Sequence, residues 1–485
     1  SPYDDTGWSM GAMRNVKTVR VTDAAVLNVP MTLLADPAKA TGRVQGPATA
    51  AAYLINHNTD NTLATFRFRL KDVKMFAAED SFKAEDRQFN AGSFIIRTDG
   101  NPGDLRTRLE SAASDLGFNA YAAAAIPKVA MHELAAPRIA LVHSWLNTQT
   151  EGWYRIAFDR LQIPYEYISD QKLRSIGDLR ARYDVIILGP TPGASQRVVN
   201  GLPKIGDPIP WKQSALTPNL GSSPDTTDDM RGGMGLEGLV NVTRFVEAGG
   251  LFVTIAGNGS VPIDYGLIDG VSIVQTPTLR ARGSILSSMI ADKRSPIAYG
   301  YGDKLPLYFN QSPVFNVSLT GGFGGGGGGG GAFGAEAAGR PSGRGSATDA
   351  DIPQGRALTP PPVRPQMRPG EEPAMTDEMR EQMRGYIPPA EMRPRIVVRF
   401  AAESDLLISG MLAGGRELAN RPAVVDVPKG KGHVLLFANN PVWRNQTQGT
   451  YFLLFNAMLN YDHLGAGRTT PAPGAAKPKT AESGE

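Results

Sequence analysis

The sequence predicts an α/β protein: an open, mostly parallel sheet, preceded by a smaller α/β domain and interrupted by a Gly/Pro-rich insertion. Three observations predict this. From Pro137 onward, short apolar runs of strand length alternate with helix-period segments, as a parallel sheet with helices on both faces should read. A shorter alternation of the same kind occupies residues 1–136. Glycine and proline are concentrated inside the larger region: residues 321–392 hold 17 Gly and 10 Pro in 72 positions. Such a stretch loses too much entropy on ordering, and has too few side chains, to join a core.

In the first region, Ala51 to Ile55, Val73 to Phe76 and Ser93 to Ile96 read as strands, and Asn61 to Leu70 and Asp104 to Leu116 as helices. In the second, Arg138 to His143 is an apolar run suited to a strand buried on both faces. Glu151 to Leu161 follows as a helix, with Trp153, Ile156, Ala157 and Leu161 on one face. Pro164 to Ile168 and Tyr183 to Leu188 are the next strands. Thr191 to about Gly235 is a long loop rich in Pro, Gly, Ser and Asp. Leu236 to Ala248 is a helix that Gly249 and Gly250 stop, and Leu251 to Ile255 a fourth strand.

Beyond the insertion come strands at Arg395 to Phe400, Leu406 to Ile408, Ala423 to Val427 and His433 to Ala438, then a helix over Gln448 to Leu459. The division is therefore 1–136, a small α/β domain; 137–320 and 393–463, two parts of one larger α/β domain; 321–392, a low-complexity insertion; and 464–485, a disordered tail. Within the insertion, Met375, Met379 and Met383 recur at helical spacing. They suggest a short amphipathic helix that docks on its own domain or on a partner.

Composition excludes several classes. The 485 residues carry 50 Lys+Arg and 47 Asp+Glu, a net charge of +3. That is too small to drive nucleic-acid binding. With no cysteine, disulfides, thiolate zinc sites and cysteine nucleophiles are all absent. No run approaches the length of a membrane span. The chain opens on Ser1 without an initiator Met or a signal-like pattern, which reads as a processed chain or a fragment.

The chemistry-bearing residues are sparse. Only five histidines occur, and neither H-E-x-x-H nor H-x-x-E is among their contexts. The nearest match, His57-Asn58-Thr59-Asp60, precedes a helix, where Asn, Thr and Asp serve as caps. Ile255 to Ser260 has the small-residue shape of a nucleophile elbow. Its central residue is Asn258, however, and no base can be assigned to Ser260. Neither G-x-G-x-x-G after a first strand nor a P-loop is found. What remains is position, since open α/β sheets bind ligands beyond the carboxyl ends of their strands. His143, Trp145, Glu151, Asn258, Ser260 and Arg444 lie at or near such ends. They form a candidate cleft for a polar ligand, such as a peptide end or a sugar, or else satisfy loops and pack beneath the inserted segments.

The opening Pro2-Tyr3-Asp4-Asp5-Thr6-Gly7-Trp8 is similar to the P-Y-D-x-T-G/A-W segment that follows the catalytic domain of large secreted bacterial zinc carboxypeptidases of the carboxypeptidase A type. Arg138 to Trp145 with Glu151-Gly152-Trp153 resembles the start of their C-terminal domain. So do Leu179 to Leu188, Gly235 to Gly238, Phe245 to Gly250 and Pro441 to Asn456. That domain looks like a type 1 glutamine amidotransferase, or flavodoxin-like, fold. The resemblance implies an accessory, non-catalytic C-terminal region of a peptidase polypeptide, periplasmic or extracellular. Its partners would be an upstream peptidase domain and a peptide or glycan ligand, without nucleic acid or membrane span.

Two departures limit what carries over. The zinc-binding H-x-x-E has no counterpart here, so zinc is expected only in an upstream catalytic domain and no cofactor in this chain. Amidotransferases place a Cys in the elbow, where this sequence has Asn258. The alternatives are a stand-alone pseudo-amidotransferase binding module, and a hydrolase using Ser260 or a carboxylate pair.

Overall fold

A computed structural model describes residues 5–36, 38–145, 147–191, 193–318 and 389–468. The Met stripe and nearly all of the insertion lie outside the described residues, as does the chain beyond Arg468.

The first sheet contains β1 (Arg43–Gln45), β2 (Ala52–Ile55), β3 (Phe76–Ala78), β4 (Phe94–Arg97), β5 (Asn119–Ala123) and β6 (Met131–Glu133), in the order β1-β5-β2-β4-β3-β6. β1 and β5 run parallel; the other pairs are antiparallel. Helices α1 (Thr62–Arg69) and α2 (Leu105–Leu116) accompany it. The predicted α/β region is thus present, with its third strand displaced from 73–76 to Phe76–Ala78.

Among the described residues the second sheet has ten strands. In chain order they are β7 (Ile139–His143), β8 (Glu166–Ser169), β9 (Val185–Leu188), β10 (Leu251–Ile255), β11 (Ser284–Ile290), β12 (Lys304–Phe309), β13 (Arg395–Phe400), β14 (Leu407–Ser409), β15 (Pro422–Lys429) and β16 (Gly432–Phe437). The order is β8-β7-β9-β10-β16-β15-β13-β11-β12, with β14 beside β11. The first five are parallel and the rest pair antiparallel. The fold is therefore α/β, but the sheet is mixed rather than mostly parallel. Counted along the chain, its parallel strands stand in the order 2-1-3-4-5.

Burial explains the parallel half. Every residue of β7, β9 and β10 is buried, as strands covered by helices on both faces require. The helices include α3 (Gly152–Arg160), the short α4 (Ser195–Asn200) and α5 (Gly235–Glu247). α4 falls inside the segment expected to be loop. α5 ends at Gly249, whose φ of +100° favours glycine. The buried face of α3 is Tyr154, Ala157 and Phe158, which shares only Ala157 with the predicted stripe; Leu161 packs partly buried against the core, and Ile156 is exposed. Tyr154 is held inward because its hydroxyl donates to Asn440 Oδ1 at 2.7 Å.

α6 (Tyr451–Leu459) joins the two sheets, and all nine of its residues are buried. Towards the first sheet, His57 Nε2 meets Asn456 Oδ1 at 2.9 Å. Just past the helix, His132 Nε2 meets Asn460 Oδ1 at 2.8 Å. Towards the second, Phe455 packs on Phe158 of α3. One apolar cluster runs from Tyr53 through both sheets to Leu464.

Two boundaries differ from expectation. Residues 5–13, assigned by sequence to the small domain, lie on the antiparallel end of the large sheet. The Gly7 amide donates to Gly283 O at 2.8 Å, and Met13 packs with Ile285 and Tyr308. The segment expected to be a disordered tail begins ordered, because Arg468 donates to the buried Asp426 carboxylate at 2.8 Å.

Candidate functional site

β7 carries its chain direction to His143, and β8 to Ser169 and Asp170. The two strands are parallel neighbours with Ser169 opposite His143, so their carboxyl ends open on one side. The Asp170 amide donates to His143 O at 2.8 Å, fixing both ends. β7 also pairs with β9 on its other side. His143 thus stands where the strand order reverses, the position at which open α/β sheets leave a crevice.

The His143 ring is buried. It stacks on Tyr167, with centroids 4.3 Å apart and planes at 14°. Trp145 meets it edge-on at 4.7 Å. Neither ring nitrogen has a hydrogen bond. Nε2 lies 3.4 Å from Asp225 Oδ2, a long contact that attracts the ring only weakly. Burial pushes the imidazole down from 6.5 to about 4, against the pull of Asp225.

Glu151 immediately precedes α3 and is fully buried. Its Oε1 accepts the Tyr167 hydroxyl, while its Oε2 has no partner. Burial raises its carboxyl from 4.5 to about 7, opposed by the Tyr167 hydroxyl, by Arg155 and by the Gly152 amide. The Arg155 guanidinium lies over the Tyr167 ring, 4.4 Å from its centroid, so His143 and Arg155 flank that ring. Asp170, also buried, keeps Oδ1 unpartnered. Burial raises it from 3.8 to about 7, with Ser144 and the Gln171 amide opposing and Asp225 reinforcing.

A loop covers these groups. From α4 the chain runs outward and returns past Trp211 and Asp225. Trp211 pairs with Thr227, and a bidentate pair between Asp229 and Arg231 closes its base. Trp211 lies 6.1 Å from Trp145, and Asp225 accepts the Ser169 amide at 3.1 Å. A groove of about 390 Å³ runs beside β8, with Tyr167 and Asp225 in its wall.

The structure brings His143, Trp145 and Glu151 together around Tyr167. Asn258 lies one step away: a Cβ added to Gly189 would come within 2.7 Å of Glu151 Cβ, and Asn258 Nδ2 donates to Gly189 O. Asn258 Oδ1 accepts from Thr191 at 2.8 Å. Both ends of its amide thus tie β10 to β9. The strained residue of the turn is Ala256, directly after β10 with φ +51°, and not Asn258, which the sequence places at its centre and which lies within the 3-10 turn Ala256–Gly259. Ser260 donates to Gly257 O at 2.8 Å. Arg444 joins a different cluster. Its Nη1 lies 3.2 Å from Asp5, whose carboxylate also accepts Trp443 Nε1 at 3.1 Å and the Tyr308 hydroxyl at 2.6 Å. Tyr308 belongs to β12, at the opposite edge of the sheet from β8, and the chain after Pro441 crosses to it.

Sequence reasoning missed Tyr167, Arg155, Asp170, Asp225 and Trp211. Asp170 directly follows a strand, so the rule that picked His143 would have found it. Asp225 and Trp211 sit in a loop whose return path no local pattern encodes. His57 is a buried partner of Asn456, and Asp60 accepts the Thr62 amide and hydroxyl, a helix-start role. Among the described residues no cluster of three or more His, Asp or Glu could hold a metal ion. No helix among them is long and apolar enough to cross a membrane.

No protein-family model matches the chain, and no curated protein matches it. Among solved structures it is similar to a cytoplasmic protein of Salmonella typhimurium LT2, at 10% identity and a TM-score of 0.32, over 67% of this chain and 98% of that one. It is also similar to a GH42 beta-galactosidase of G. stearothermophilus, at 12% identity and a TM-score of 0.31, over 67% of this chain but only 30% of that enzyme. A beta-galactosidase of Bacillus circulans sp. alkalophilus matches at 10% identity and a TM-score of 0.30, over 69% of this chain and 32% of that one. Likenesses this distant carry no argument about what this chain does.

Proposed function

We propose that this chain is the accessory, non-hydrolytic C-terminal region of a secreted zinc carboxypeptidase-type polypeptide, built on a type 1 glutamine amidotransferase-like domain. The ordered motifs from Pro2 to Asn456 support it, and so does the parallel-strand order 2-1-3-4-5, the flavodoxin-like arrangement. The observation that carries the accessory role is Asn258. The sequence puts it at the centre of the turn after β10, a turn that offers no thiol, and both ends of its amide are consumed by Gly189 and Thr191. Zinc and the peptidase chemistry then belong to an upstream domain, in the periplasm or outside the cell.

The test is the reading frame upstream of the Ser1 codon together with an assay. The frame is expected to encode H-x-x-E and a distant His, and the longer polypeptide to release C-terminal residues from peptides. Turnover by the 485-residue chain alone, abolished by Ser260→Ala, would overturn the proposal in favour of a hydrolase.

A second reading, a stand-alone binding module for a peptide or glycan, is favoured by the buried polar atoms around His143. Buried polar groups without partners each cost about 1–3 kcal/mol. A site that keeps several of them at a strand-order reversal is shaped for a ligand that supplies the missing bonds. The two readings are compatible if the accessory region holds substrate for the peptidase.

A further inference from the structure

We infer that the exposed apolar segment between Trp8 and Leu34 is the docking surface for the peptidase domain that the accessory reading places before Ser1. This rests on that reading and goes beyond it by giving the domain a seat on this chain.

Every one of residues 14–36 is exposed. Nine of them, from Val16 to Leu34, are large and apolar, with Leu27 at 75% and Leu33 at 95% exposure. Trp8 and Met10, also exposed, extend the run towards Asp5. Together these side chains leave on the order of 1,000 Å² in water, more than the roughly 800 Å² that one side of a stable interface buries. Single exposed apolar residues are ordinary, but a run of this size marks an interaction surface.

The segment has a shape without having a cover. The Asp23 carboxylate accepts the Ala25 amide at 2.9 Å and starts the 3-10 turn Ala24–Asn28. Among the described residues no hydrogen bond pairs the backbone of residues 17–22, where Val19 and Val21 alternate with Arg20. A partner therefore meets free backbone groups as well as apolar side chains.

Three features choose the occupant. Both ends of the segment are fixed. Before it, Met13 packs with Ile285 and Tyr308; after it, Gly42 lies so close to the end of α2 that an added Cβ would fall 2.1 Å from Ala113 O. A segment held at both ends can lie along a neighbour, but it cannot be exchanged with a second copy as a free terminus can. The tether is short. Asp5 is held by Tyr308, Trp443 and Arg444, and the four residues before it reach at most about 14 Å. Trp8 Nε1 donates to Asp5 O at 3.2 Å. A domain joined at Ser1 is thus delivered beside the apolar run, at a far higher effective concentration than a free partner. The charge is one-sided: Arg14, Lys17 and Arg20 precede the first acid, Asp23. The facing surface is therefore apolar with an acidic margin.

The test compares hydrogen exchange in the 485-residue chain and in the longer polypeptide encoded by the upstream frame. The amides of residues 17–22 are expected to exchange at free-chain rates in the shorter chain and about 100-fold more slowly in the longer one. Leu27→Asp combined with Leu33→Asp is expected to restore fast exchange in the longer polypeptide. It should leave the melting temperature of the 485-residue chain unchanged, since both side chains are exposed there. If the longer polypeptide carries the peptidase domain and these amides still exchange freely, the inference falls and the accessory reading stands. A frame that encodes no upstream domain overturns both. Slow exchange in the 485-residue chain alone also overturns the inference, and a dimer mass by light scattering would then assign the surface to a second copy.

Discussion

At Glu151 a carboxyl is held at zero exposure with one oxygen on the Tyr167 hydroxyl and the other on nothing. Its folded-state pKa of about 7 lies above the ordinary 4.5. Above pH 4.5 the unfolded chain ionises while the folded chain keeps its proton. The group's contribution to stability is therefore complete below about pH 4.5 and lost as the pH rises through about 7. Glu151→Gln removes this dependence. Urea unfolding between pH 4.5 and 7.5 is expected to show wild type losing on the order of 1–3 kcal/mol relative to the variant; parallel curves would contradict the burial argument. His143, lowered from 6.5 to about 4, works the other way, contributing above 6.5 and losing that contribution as the pH falls towards 4. A second residue with a legible cost is Asn456. Its amide serves His57 Nε2 and the carbonyls of Ile297 and Tyr299, so Asn456→Leu is expected to cost about 2–4 kcal/mol by thermal or urea unfolding. At this scale the sequence pointed to His143, Trp145 and Glu151 through position alone. Tyr167, which organises them, was hidden as one aromatic among the residues of a strand.

Among the elements, the parallel strands were the most legible, since continuous apolar runs such as Val185–Leu188 have few other uses in a soluble fold. The antiparallel additions were not. Ser284–Ile290 reads as half polar because Ser284, Ser287 and Ser288 are buried there, and the polarity disappears only when Ser288 donates to Leu305 O and Ser284 to Met411 O. The α3 stripe shifted for a similar reason: Tyr154, absent from the predicted face, turns inward because its hydroxyl finds Asn440 there. The segment 5–13 could not be placed by periodicity, because it is held by point contacts rather than by a repeating face. Those contacts converge on Asp5. Asp5→Ala is expected to loosen the arm, with hydrogen exchange of the Thr6 and Gly7 amides rising towards that of a free chain. The global cost should be only about 1–3 kcal/mol. Unchanged protection at those amides would show that the backbone bonds to Gly283 suffice.

The whole molecule was divided by sequence at residue 136, and the two sheets do lie on either side of it. Composition could not show that they share a core, since nothing in the pattern of Tyr451–Leu459 tells which surfaces its fully buried circumference will meet. Because one cluster spans both sheets through α6, scanning calorimetry is expected to give one transition for the described body, with calorimetric and van't Hoff enthalpies in agreement. Two resolved transitions would mean that α6 belongs energetically to one sheet only.

α6 also sets a timetable for synthesis. His132 and Asn460 are 328 positions apart, and at about 5–20 residues per second a ribosome needs roughly 15–65 s to make the chain between them. For that interval the small sheet is complete in sequence but lacks the helix that covers its inner face. Its apolar residues stay uncovered on the nascent chain, or are shielded by something other than this protein. A truncation that stops before Tyr451 makes that interval permanent.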